Sequence, residues 1–110
     1  MKNPMLTVPQ IIGKGVVVDF AKGEVQFSNG EKTTLSEKEG ELLYYLVENA
    51  GRVVSRDEIL SQVWELNPGR ILTRVIDMHV AHLREKLRDK QTGLLQTVYG
   101  EGYQLAAQPH

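Results

Sequence analysis

From Ile11 to Leu35 the apolar runs are short and β-like, alternating with polar residues over 24–28, and a helical period follows. In the first stretch "VVVDF", a turn at "AKG" and "EVQFSNGEKTTL" set Val25 and Phe27 out of phase with Glu24, Gln26 and Ser28. This pattern predicts a small antiparallel sheet over 11–35 with one apolar face, and Asn29-Gly30 is a two-residue hairpin signal. The change at Leu35 is marked by "SEKE", Ser36 to Glu39, a capping box in which the serine oxygen takes an orphan amide and the glutamate reaches back. Leu42, Leu43, Leu46, Val47 and Ala50 then make a core face, and Gly51 offers a left-handed stop, which gives a first helix over 36–50. Tyr44 and Tyr45 are adjacent, so one should face inward and the other the surface. Val53-Val54 suffices only for an isolated bridge.

A second capping box, "SRDE" from Ser55 to Glu58, opens a helix over 55–64 with Ile59, Leu60, Val63 and Trp64 on its apolar side. "ELNPGRIL" is a loop about Pro68-Gly69. A third helix over 73–88 follows, its stripe formed by Leu72, Ile76, Val80, Leu83 and Leu87. Its other side carries Arg74, Met78, Ala81, His82, Glu85 and Arg88, an odd filling for a face that meets only water. "KQTG" breaks that helix, and "LQTVYGEGYQL" predicts a hairpin over 95–105 about a Gly-Glu-Gly turn. The expected class is α+β: one domain over 11–106, with 1–10 a flexible tail or linker remnant and 107–110 a tail. A chain of 110 residues can bury enough surface for such a core without staples.

Composition removes several alternatives. There is no cysteine, which excludes disulfides, thiol nucleophiles and cysteine-ligated metals. No apolar run reaches membrane-spanning length, and "MKNPMLTVPQ" is not a signal peptide, so a cytoplasmic protein is expected. Ser28, Ser36, Ser55 and Ser61 lie in no nucleophile motif, the glycines form no phosphate loop, and an enzyme or a cofactor is not expected. His79 and His82 have a spacing that can serve a metal, but the chain offers only His110 as a further histidine, so no metal site is expected.

Charge changes the picture more. The net charge is −1, yet residues 70–90 hold six basic side chains against three acidic ones. Residues 1–69 hold seven against ten. Positive charge is therefore gathered on the third helix, where a local patch matters more than the sum.

"LSEKEGELLYYLVENAGRVVSRDEILSQVW", "TRVIDMHVAHLREKL" and "LQTVYGEGYQL" together resemble the effector domain of OmpR/PhoB-type response regulators, in one register over residues 11 to 106. The resemblance implies a winged helix-turn-helix: a four-stranded N-terminal sheet, three helices and a C-terminal β-hairpin wing. It implies sequence-specific binding of double-stranded DNA, with the third helix as recognition helix in the major groove. Arg74, His79 and Arg84 match phosphate-contact positions; Val75, Met78, Ala81 and His82 match groove-facing ones; Thr97 and Tyr99 match wing positions that reach the backbone.

Arg88, near the end of the face, can also reach a strand, and Arg84 and Lys86 flank the core stripe in places suited to phosphates. A contact of His82 with phosphate would tie affinity to pH. Glu65, Asn67 and Arg70 lie in a loop that in the family can touch RNA polymerase. The resemblance further implies a phosphorelay, a receiver domain in a longer parent chain, and head-to-tail dimers on direct repeats.

The family often has Arg or Lys where Ala81 and His82 stand, and commonly an Arg at Tyr99; Glu101 brings the wrong sign to the wing tip. Weak binding by a lone domain follows. A winged-helix protein-interaction module that does not bind DNA is the alternative these departures favour. Trp64 and Tyr103 are expected in the core rather than as stacking platforms, and Asp77 should pair with a neighbouring arginine or with the following chain, the sequence itself not naming the partner.

Overall fold

Four strands, β1 (Gln10–Gly13), β2 (Val16–Asp19), β3 (Glu24–Phe27) and β4 (Lys32–Thr34), form an antiparallel sheet in sequence order. Helices α1 (Glu37–Glu48), α2 (Arg56–Val63) and α3 (Arg74–Leu87) follow, then a hairpin of β5 (Leu95–Val98) and β6 (Gly102–Leu105). The structure, a computed structural model, describes residues 9–13, 15–66, 74–90 and 93–107. This is the winged-helix arrangement the sequence implied. The expected helix start at Thr73, and Leu72 of its stripe, lie outside the described residues.

One face of the sheet is sealed by Val18 and Val25, which pair across β2 and β3 and are fully buried. The register shifts between Ile11 and Gly13, and this bulge leaves Ile11 exposed while Ile12 turns into the core. The loop between β3 and β4 is longer than the Asn-Gly signal suggested. Phe27 and Glu31 close it, and Ser28, Asn29 and Gly30 make a three-residue loop with Gly30 at φ +91°.

At α1 the capping box is complete: Ser36 Oγ accepts from the Glu39 amide, and Glu39 accepts from the Ser36 amide. Leu42, Leu43 and Leu46 are fully buried, as the pattern required. Ala50 is exposed, because the helix ends at Glu48 and the period no longer governs the turn beyond it. Tyr44 and Tyr45 are both half-buried, one packed edge-on against Phe20, the other bonded to Glu58.

That bond explains why the second box is only half formed. Ser55 Oγ accepts from the Glu58 amide, but the Glu58 carboxylate turns to the Tyr45 hydroxyl and to Arg52, 2.6 Å away. The core is completed by Ile59, Leu60, Ile76, Val80, Leu83, Leu87, Leu95, Tyr103 and Leu105.

Strand β6 is central in a small second sheet. It pairs with β5 on one side, and on the other Val54 and Tyr103 exchange both backbone hydrogen bonds, at 2.7 and 2.9 Å. Gly102 makes this approach possible, since a Cβ there would lie 2.1 Å from the Val54 carbonyl oxygen.

Candidate nucleic-acid interface

Ile76, Val80, Leu83 and Leu87 recur at helical spacing and are all buried, so they fix α3 in rotation. The opposite side is thereby turned outward: Arg74, Met78, Ala81, His82 and Glu85 are exposed. Met78 is 53% exposed despite being apolar. Next to this strip the hairpin projects Tyr99, 91% exposed, from a turn in which Gly100 takes φ +80° and the Glu101 amide bonds Val98. Glu101 is exposed beside it.

The other site residues expected from the sequence are placed differently. Val75 is half-buried and packs against the core. His79 stands edge-on against Trp64, centroids 4.9 Å apart, with Nδ1 2.9 Å from the Val75 carbonyl. A carbonyl only accepts, so Nδ1 carries the proton and Nε2 is left for an outside partner. Arg84 donates to the Leu95 carbonyl at 2.9 Å and to Thr97 Oγ1 at 2.6 Å, so it braces α3 against β5. Thr97 is half-buried and holds the other end of that brace.

Arg88 lies at the end of α3 at φ +59°, with its guanidinium 4.0 Å from the Phe27 ring and bonded to Glu31. It is drawn back over the sheet rather than out along the strip. Lys86, read as suited to phosphate, instead donates to the Thr34 carbonyl at 2.9 Å and to Glu39 at 2.7 Å. Glu65 is exposed at φ +56°. Asn67 and Arg70 lie outside the described residues.

Three polar nodes join the elements around the interface, and sequence reasoning located part of two, Asp77 and the capping contact of Glu39. Asp77 accepts from Tyr103 Oη at 2.5 Å and from Arg56 Nε at 2.7 Å, joining α3, β6 and α2. Burial pushes the Asp77 carboxyl up, but the bonds from Tyr103 and Arg56 outweigh it and hold the group below its ordinary value. The same burial, then the bond to Asp77, pushes Tyr103 up. Glu39, 6% exposed, follows the same logic: burial raises it, and Lys86 with Ser36 brings it lower. Asp89 accepts from the Leu94 and Leu95 amides at 3.0 and 2.7 Å, which seats β5 on the end of α3. Nothing in the local sequence marks Asp89 for this. No three metal-ligating side chains cluster among the described residues.

The family described as "Transcriptional regulatory protein, C terminal" matches residues 30–105. The chain belongs to this family. It is 40% identical over 98 residues to the transcriptional regulatory protein VxrB of Vibrio cholerae, covering 89% of this chain and 38% of that one. The DNA-binding domain of Klebsiella pneumoniae RstA, solved in complex with the RstA box, superposes with a TM-score of 0.76 at 27% identity, over 89% of this chain and 96% of that one. The DNA-binding domain of CpxR from E. coli gives 0.73 at 29% identity, over 91% and 97%. The chain spans less than half the length of the curated relatives it matches. No helix among the described residues is long and apolar enough to cross a membrane.

Proposed function

We propose that this domain binds double-stranded DNA sequence-specifically, as the effector of a two-component response regulator that controls transcription. One observation carries the reading: α3 leaves Arg74, Met78, Ala81 and His82 exposed opposite its buried stripe, and the hairpin bonded to α3 through Thr97 and Tyr103 exposes Tyr99 at its tip. An α-helix with one face seated in a core and a low, exposed opposite face fits the major groove, and a hairpin beside it reaches the adjacent backbone. Arg74 at the start of the strip and the remaining N–H groups of Arg84 serve phosphates, and His79 does so as imidazolium, when Nε2 carries a proton as well as Nδ1. Met78, Ala81 and His82 face base edges, and Tyr99 meets the backbone beside the groove. The RstA structure, which carries its DNA on the same fold, supports this reading.

Head-to-tail dimers on direct repeats, a receiver domain in the parent chain and a contact of the Glu65 loop with RNA polymerase belong to the same proposal, in the cytoplasm. Selection of bound sequences from random duplex at low salt tests it. Enrichment of a tandem motif supports it, and failure to retain any duplex overturns it. A second reading, a protein-interaction module, is favoured by one specific observation: Arg84, Lys86 and Arg88 are all engaged with the body. Retention of duplex at low salt would exclude that reading.

A further inference from the structure

Glu85 stands on the outward face of α3, in its last turn, where a carboxylate would be expected to repel a phosphate backbone. It lies seven residues after Met78, and hence two turns along the same line of the helix. Ala81 and His82 sit between them, one to each side. The basic side chains that could dominate this half of the helix are engaged with the body. Arg84 is held by Leu95 and Thr97, Lys86 by Thr34 and Glu39, and Arg88 by Glu31 and Phe27. Beyond Arg74, the exposed strip of α3 is left with a thioether, a methyl group, an imidazole and a carboxylate.

Resting on the reading of α3 as a recognition helix, we infer that Met78 and Ala81 read thymine and Glu85 reads cytosine. Thymine is the base that presents a methyl group in the major groove, and the exposed apolar surface of Met78 with the short Ala81 beside it accepts such a group. Carboxylate oxygens only accept hydrogen bonds. Guanine and thymine offer them acceptors, and adenine sets its N7 acceptor beside its N6 donor. Cytosine offers the N4 amino group without an acceptor on the same edge, so it is the base Glu85 selects. Seven residues of helix rise about 10 Å, close to three base-pair steps. The half-site therefore carries a cytosine about three base pairs from a thymine. Guanine read by an arginine is absent from the centre of the site.

The inference is tested by selecting bound sequences from random duplex with the unchanged chain and with Glu85→Gln, an exposed position whose variant is checked for an unaltered thermal transition. The unchanged chain should enrich cytosine at one column and thymine about three columns away. Glu85→Gln should switch the cytosine column to adenine, because an amide both donates to N7 and accepts from N6. Uracil in place of the selected thymine, which removes one methyl group, should weaken binding about fourfold. A Glu85→Gln motif identical to the unchanged one, or a uracil duplex bound equally well, overturns the inference while leaving DNA binding intact. If the unchanged chain retains no duplex, the proposed function falls and takes the inference with it.

Discussion

Tyr103 of the hairpin donates its phenolic proton to Asp77 of the third helix at 2.5 Å. The same carboxylate holds Arg56 of the second helix, whose guanidinium lies 5.1 Å from the Tyr103 ring centre. One buried hydroxyl thus joins the element that would enter the groove to the element that would lie on the backbone. Tyr103→Phe keeps the ring and removes the bond. It should lower stability by about 1 kcal/mol, read from the urea midpoint. Under the proposed function it should also weaken DNA binding without changing the salt slope, since no phosphate contact is lost.

Gly102 and Gly100 flank the tip of the same hairpin and separate two costs. A Cβ on Gly102 would meet the Val54 carbonyl at 2.1 Å, whereas one on Gly100, at φ +80°, meets nothing within 4 Å. Gly100→Ala should therefore cost about 1 kcal/mol, the left-handed penalty alone. Gly102→Ala should cost about 3 kcal/mol, because backbone must move. Denaturation of both variants in urea makes the comparison, and equal losses would contradict it.

The basic side chains of α3 divide into those that hold the body and those that remain for a ligand. Arg74→Ala should reduce the slope of log affinity against log salt by about one unit. Lys86→Ala should leave that slope unchanged and instead destabilise the fold by about 2 kcal/mol, because buried Glu39 loses its cation but keeps the Ser36 amide. Arg84→Lys should keep the slope and weaken binding, since an ammonium cannot span the Leu95 carbonyl and Thr97 together. Titrations at several salt concentrations distinguish the three.

Acid should release the polar nodes. The folded-state carboxyls of Glu39 and Asp77 are held below their ordinary values of 4.5 and 3.8 despite burial. Arg52 and then Tyr45 lower Glu58 in the same direction. Groups lowered by folding contribute stability that is fully present above their unfolded values and is lost as pH falls through the folded ones. Stability should thus be level above about pH 5 and decline below about pH 4. Thermal transitions from neutral to acid pH check this. In Glu39→Gln the decline should be shallower.

The sequence made the elements legible because they rest on local rules. Period, caps and turn residues placed α1, α2 and β6 within a residue or two, and the stripe of α3 fixed its outward face. What escaped was the use of long side chains. Lys86 reaches Glu39 across 47 positions of sequence and Arg88 reaches Glu31 across 57. A count of charges along the chain shows where they are attached, not where they end. Glu58 failed to close its box for the same reason, having better donors in Tyr45 and Arg52 than in the Ser55 amide. For Asp77 the sequence left a neighbouring arginine and the following chain open, and its partners, Arg56 and Tyr103, come from elements far along the chain.

Because Val54 is stitched to Tyr103 by both backbone bonds, the hairpin is continuous with the chain that leads straight into Ser55 and α2. A pull on Tyr99 is not absorbed by a soft hinge at the wing's base; it is transmitted through β6 to the start of α2. Under the proposed function, tip and helix would meet a duplex as one unit, with the distance between their two footprints set by the fold before any DNA arrives.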